Sequence, residues 1–121
     1  MFTADIIYIS IKTNSIHAKN LRTQQMASSE AAISSRRLLV GNFTEAESTL
    51  KKLLQAISTR RWLRVAPTIV IQALEMTEEG LSQIEERIFR ELALAAGAAK
   101  AIVHVGEQLS DEAALALSKT R

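Results

Sequence analysis

The stretch Gly80–Val105, GLSQIEERIFRELALAAGAAKAIVHV, decides the fold class. Ser82 and Glu85 have the Ser-x-x-Glu spacing of a capping box. In that motif the hydroxyl accepts from an orphan N–H of the first turn, and the glutamate reaches back to the cap residue's own N–H. Behind the cap, Ile84, Ile88, Leu92 and Ala95 recur at helical spacing and predict one apolar stripe. Glu86–Arg90 and Arg87–Glu91 form i,i+4 pairs on the other side. Gly97 suits the position after the helix, where a left-handed backbone carries no Cβ penalty. Ala101–Val105 is short, apolar and partly β-branched, the pattern of a buried strand.

Upstream, Pro67 marks the entrance to a strand, because it cannot donate to a ladder inside one. Thr68–Leu74 is apolar on both faces, as a parallel strand covered above and below should be. With the helix from Ser82 and the strand at Ala101 it completes a β-α-β unit, whose crossover should be right-handed. Thr44 and Glu47 predict a second capping box, opening a helix over Thr44–Ser58 with Ala46, Leu50, Leu53 and Ile57 on its apolar side. Before it, Leu38-Leu39-Val40 is a brief apolar run ended by Gly41 and Asn42. Asp5–Thr13 alternates as a strand, with Ile7, Ile9 and Ile11 on one face and Ile6, Tyr8 and Ser10 on the other. Thr13-Asn14 is a turn, and Ser15–Arg22 its antiparallel return. Gln24–Ser35 fits a third strand, a short helix or a loop, and periodicity does not decide. Downstream, Ser110-Asp111 caps a last short helix containing Ala113, Leu115 and Leu117.

The order is β-β-(β)-α-β-α-β plus a short C-terminal helix: an α/β mixed sheet in the ribonuclease H-like arrangement. Many unrelated functions use that arrangement, so topology alone supports no activity. The 121 residues predict a single domain over 1–121. Hydrophobic residues at 47% and charged residues at 23% are ordinary for a globular protein. A net charge of +2 is weak support for a nucleic-acid partner, and none is expected. Without cysteine there is no disulfide framework and no thiolate metal site. Met1 is followed by Asp5 and a β-like pattern rather than by a basic region and apolar core. No transmembrane segment is expected either, since no run approaches the roughly 20 apolar residues that span a bilayer. The cytoplasm is the default expectation.

Gly80-Leu81-Ser82-Gln83-Ile84-Glu85-Glu86-Arg87, then Ala96-Gly97-Ala98 and an apolar strand, resembles the bacterial actin-like, rod shape-determining MreB family. Those proteins carry Gly-x-Thr-x-Val-Glu-Arg-Arg at a helix start and Ala-Gly-Ala before the next strand. Val40-Gly41-Asn42-Phe43-Thr44 is similar to that family's Ile-Ala-Asp-Phe lead-in to the preceding helix, with Asn42 where an aspartate is usual. The matching spans Leu38 to Val105, and the N-terminal hairpin agrees in topology only. The resemblance implies one actin-like (ribonuclease H-like) half-domain of an ATPase fold.

The departures bear most on function. The family's first hairpin carries Asp-x-Gly-Thr, whose glycine lets backbone approach phosphate and whose aspartate helps hold the hydrated metal. Here that stretch is Ser10-Ile11-Lys12-Thr13, without the acid or the glycine. The acidic residue-proline pair after the later strand is replaced by Gly106-Glu107-Gln108, where Glu107 matches the hydrolytic glutamate only with a one-residue shift. An actin-like nucleotide site also lies between two half-domains, and this chain is long enough for part of one. The expectation is therefore no catalytic residue, no cofactor and no metal. The implied function is protein association, with a second copy or with a cytoskeletal or envelope-assembly partner in cell-shape assembly. The alternative is a small nucleotide- or metal-dependent enzyme, an ATPase or nuclease, on the same fold.

Other constellations have plainer readings. Asp5, Glu75 and Glu107 suggest a two-metal carboxylate cluster, but the acid needed in the middle of the first strand is missing. His17 and His104 have no second ligand at metal spacing. Arg60, Arg61 and Arg64 around Trp62 suggest phosphate contacts and base stacking. A helix end followed by a packed tryptophan accounts for the same residues.

If the strands run 3-2-1-4-5, the right-handed rule puts both long helices on one face. The other face then has only the short tail to cover it. This predicts an apolar association surface, with Ile69, Ile71, Leu115 and Leu117 as its candidate residues and a two-fold homodimer as its simplest use.

Overall fold

The chain opens on a hairpin. β1 (Ile6–Lys12) and β2 (Ser15–Asn20) pair antiparallel, joined at Thr13-Asn14. Asn14 takes φ 51, a left-handed conformation that asparagine tolerates better than most residues. Its side-chain oxygen also accepts from the Ile33 and Ser34 N–H groups, which ties the turn to the segment after the third strand. The computed structural model describes residues 4–36, 38–58, 66–75 and 80–120. The Arg60–Arg64 cluster with Trp62 therefore lies outside the described residues.

The segment that periodicity left open contains a third strand, β3 (Met26–Glu30), antiparallel to β2. The chain then crosses to α1 (Phe43–Ile57), β4 (Thr68–Ala73), α2 (Gln83–Ala95), β5 (Lys100–Val105) and α3 (Asp111–Ser118). The five strands form one mixed sheet in the order β3-β2-β1-β4-β5, with β1, β4 and β5 parallel.

The helix ends show which local signals acted. Ser82 caps α2 in a full capping box: its hydroxyl accepts from the Glu85 N–H, and the Glu85 carboxylate accepts from the Ser82 N–H. Gly97, at φ 119, follows the Ala96 cap. The Gly97 N–H bonds to the Leu94 carbonyl and the Ala98 N–H to the Ala93 carbonyl, the paired bonds of a Schellman stop. Ser110 caps α3 by accepting from the Ala113 N–H. The expected box at Thr44 and Glu47 is not the one that forms. Asn42 caps α1, its side chain accepting from the Glu45 N–H, so the helix begins at Phe43. Asparagine is at least as good a cap as threonine and comes first along the chain.

Both long helices cover one face of the sheet. Ile7, Ile9, Ile11, Ile69 and Ile71 point into that core, against Leu50, Leu54 and Ile57 of α1 and Phe89, Leu92 and Ala93 of α2. The expected stripe on α2 is rotated. Phe89, Leu92, Ala93 and Ala96 are buried, whereas Ile84 is 73% exposed and Ala95 faces solvent. The phenyl ring has the larger apolar area to hide and sits over the sheet, while Ile84 lies in the first turn. The opposite face carries a smaller cluster of Tyr8, Leu21, Val70 and Ala114, with α3 lying on it.

Candidate functional site

Strand pairing builds a polar row on the face opposite the long helices. Ser28, His17, Ser10, Gln72 and His104, one from each strand, stand directly opposite one another across the sheet. The preceding row on that face is Met26, Lys19, Tyr8, Val70 and Ile102, and α3 covers its middle. The apolar middle of that row is thus under the helix, and the polar row lies just beyond its cover. There a cleft of about 330 Å³ opens, lined by Ser10, Lys12, Ser15, His17, Ser28, Leu74 and Gln108.

Part of the row is already committed. The buried Tyr8 hydroxyl donates to Gln72 Oε1 and accepts from the Leu109 N–H. Gln72 Nε2 donates to the carbonyls of Gly106 and Glu107, at 2.9 and 2.8 Å. This network holds the loop between β5 and α3 against the sheet and satisfies a glutamine that is 0% exposed. Burial pushes the Tyr8 phenol above its usual range, and the Leu109 N–H pulls it back in part. Tyr8 therefore stays protonated at neutral pH and keeps donating.

The β1–β2 turn is committed too. The Thr13 N–H bonds to the Glu75 carboxylate at 2.5 Å, and the Asn14 N–H to Ser34 Oγ at 2.9 Å. The Thr13 hydrogen bonds hold the Glu75 carboxyl below the usual carboxylate range, with Lys12 adding a smaller pull. Glu75 thus stays ionised at the tip of this turn.

The suspected carboxylates are not brought together. Asp5 precedes β1, is buried, and pairs with Arg22 at 3.6 Å. Glu75 follows β4, which is parallel to β1, so it stands at the opposite end of the sheet from Asp5. Glu107 is exposed in the loop after β5. His17 on β2 and His104 on β5 are three strand spacings apart, roughly 14 Å, too far to share an ion. Among the described residues no group of three histidines and carboxylates could hold a metal.

The expected interface does not exist as one surface. Ile69 and Ile71 are fully buried beneath the long helices. Leu115 and Leu117 are half-buried on the other side, where α3 packs. Consecutive strand residues alternate in direction, and it is Val70, between the two isoleucines, that points toward α3. The polar row has no counterpart in the sequence reading, because its members are brought together by pairing register. A polar residue recurring at the same depth of successive strands was its one signal.

Among the described residues no helix is long and apolar enough to cross a membrane. No family model matches the chain. It is similar to the uncharacterized protein YjaA of Escherichia coli, 38% identical over 125 residues that cover 96% of this chain and 98% of that protein. A likeness of that strength along both whole lengths means that the chain belongs to the YjaA family.

Proposed function

We propose that this chain is a non-catalytic, actin-like half-domain on a ribonuclease H-like scaffold, acting through protein association. The observation that carries the reading is the occupied β1–β2 turn. A phosphate-binding turn must present free N–H groups to the anion. Here the Thr13 and Asn14 N–H groups are taken by Glu75 and Ser34, and the Glu75 carboxylate would repel a phosphate brought to the same place. The strand and helix order agrees with the half-domain that the MreB resemblance implies. Cell-shape or cytoskeletal assembly in the cytoplasm is the setting that this reading carries with it, and the partner is a second copy or an envelope-assembly protein. The wide separation of Asp5 from Glu75 gives the nuclease alternative no support.

The test is isothermal titration with Mg-ATP, for which no binding is expected. A dissociation constant below roughly 10 μM, about −7 kcal/mol, would restore the nucleotide-dependent reading.

A further inference from the structure

The two edges of the sheet are built differently. β3 is short and polar, with Ser28, Ser29 and Glu30 along it. Charge, polarity and shortness are the usual guards of an open edge against pairing. β5 is Lys-Ala-Ile-Val-His-Val, a sequence suited to the middle of a parallel sheet, yet among the described residues it pairs only with β4. Ala101, Ile102 and Val103 are left half-buried, and Val105 is 39% exposed. The charge that could guard this edge is turned away, since Lys100 Nζ donates to the carbonyls of Ser118 and Thr120 at the end of α3.

The helix above this edge carries a matching flank. α1 lies over β2 and β3, and α2 over β4 and β5. Glu85 and Ile88 of α2 turn toward Leu38–Val40, the segment that leads into α1. Gln83, Glu86, Arg90 and Leu94 recur at helical spacing on the side away from that segment, beside the open β5 edge. Glu86 and Arg90 are joined at 2.9 Å.

We propose that two copies of this chain pair antiparallel through β5 about a two-fold axis, making one ten-stranded sheet. This rests on the association reading above and names its partner and surface. A second copy suits the edge better than an isolated peptide. It brings an α2 of its own, so the half-buried Val103 gains cover from a second helix as well as along the strand. Adjacent strands lie about 4.8 Å apart, so the two α2 axes come on the order of 10 Å apart, a helix-packing distance. An axis passing near Ile88 sets Glu86 of each copy opposite Arg90 of the other, and Leu94 opposite Gln83. The flank is complementary to itself in charge, as an isologous interface requires.

The experiment combines sedimentation equilibrium with amide exchange on the full chain. Wild type should dimerise at tens of micromolar, and raising the concentration should slow exchange in β5 but not in β3. Arg90→Glu sets four carboxylates around the axis and should weaken the dimer by roughly tenfold or more. The exchanged pair, Glu86→Arg with Arg90→Glu, restores complementarity and should restore the dimer. Arg90 is exposed, so its substitution should leave the monomer folded. A monomer at every concentration, a dimer whose β5 exchange does not change, or a dimer indifferent to Arg90→Glu would each overturn the proposal. None of these outcomes alters the Mg-ATP titration, so a failure of the edge pairing remains distinct from a failure of the non-catalytic reading.

Discussion

The two faces of the sheet use the same strands for opposite purposes. Under α1 and α2 the sheet presents Ile7, Ile9, Ile11, Ile69 and Ile71, all of them fully buried. Turned over, β1 and β4 present Tyr8, Ser10, Val70 and Gln72. Two helices of 15 and 13 residues can roof a whole face, and a roofed face is safe for branched apolar side chains. α3 has only 8 residues and roofs the region around Tyr8 and Val70. Beyond its reach the strands turn polar, and the one fully buried polar side chain there, Gln72, is saturated with partners. The length of the covering helix, more than the strands' own propensity, sets where each face changes character.

Breaking the roofed face should have the largest effect. Ile71→Ala deletes fully buried methyl groups between sheet and helices and should cost about 3 kcal/mol in urea denaturation. Ser28→Ala, on the exposed end of the polar row, should stay within about 0.5 kcal/mol. Equal losses at the two positions would erase the contrast between the faces.

The Gln72 network sharpens the comparison at intermediate size. Gln72→Ala strands the Tyr8 hydroxyl and the Gly106 and Glu107 carbonyls and should cost about 2 kcal/mol. Tyr8→Phe removes the acceptor for Leu109 and should cost less, about 1 kcal/mol, with faster amide exchange at Leu109. A Gln72→Ala variant as stable as wild type would mean that water replaces the network and that this loop is not held by it.

The smallest effect tests how α3 is tethered. Lys19 donates to both carboxylate oxygens of Asp111, and this bond, ahead of any other influence, holds the Asp111 carboxyl below its usual value. A carboxylate depressed in the folded state stabilises fully above its unfolded pKa, and the contribution disappears as pH falls through the lower folded value. The side chains are 22% and 37% exposed, so solvent screens the pair and its worth is a few tenths of a kcal/mol. Lys19→Ala should therefore lower stability slightly at neutral pH and converge with wild type in acid. A gap that persists in acid would assign the effect to the lysine's packing instead.

Signals contained within a few consecutive residues were legible without the structure. The Ser82–Glu85 box, the Gly97 stop, the Ser110 cap and the doubly buried β4 all depend on groups one to four positions apart along the chain. The strand order, by contrast, entered only as a condition, because Gln24–Ser35 left the third strand undecided, and the observed order β3-β2-β1-β4-β5 meets that condition. At the start of α1 the expected Thr44 cap gave way to Asn42, two residues earlier. Tertiary structure alone decided which side of α2 is buried, because the sheet beneath selects Phe89 over Ile84 and a repeat of 3.6 leaves neighbouring stripes nearly equivalent. It also separated Ile69 and Ile71 from Leu115 and Leu117, and it assembled Ser28, His17, Ser10, Gln72 and His104 into one row. Those relations depend in part on the parallel pairing of β1 with β4 and of β4 with β5, strands far apart in the chain, where a slip of one residue exchanges the two faces and no tight turn fixes the register.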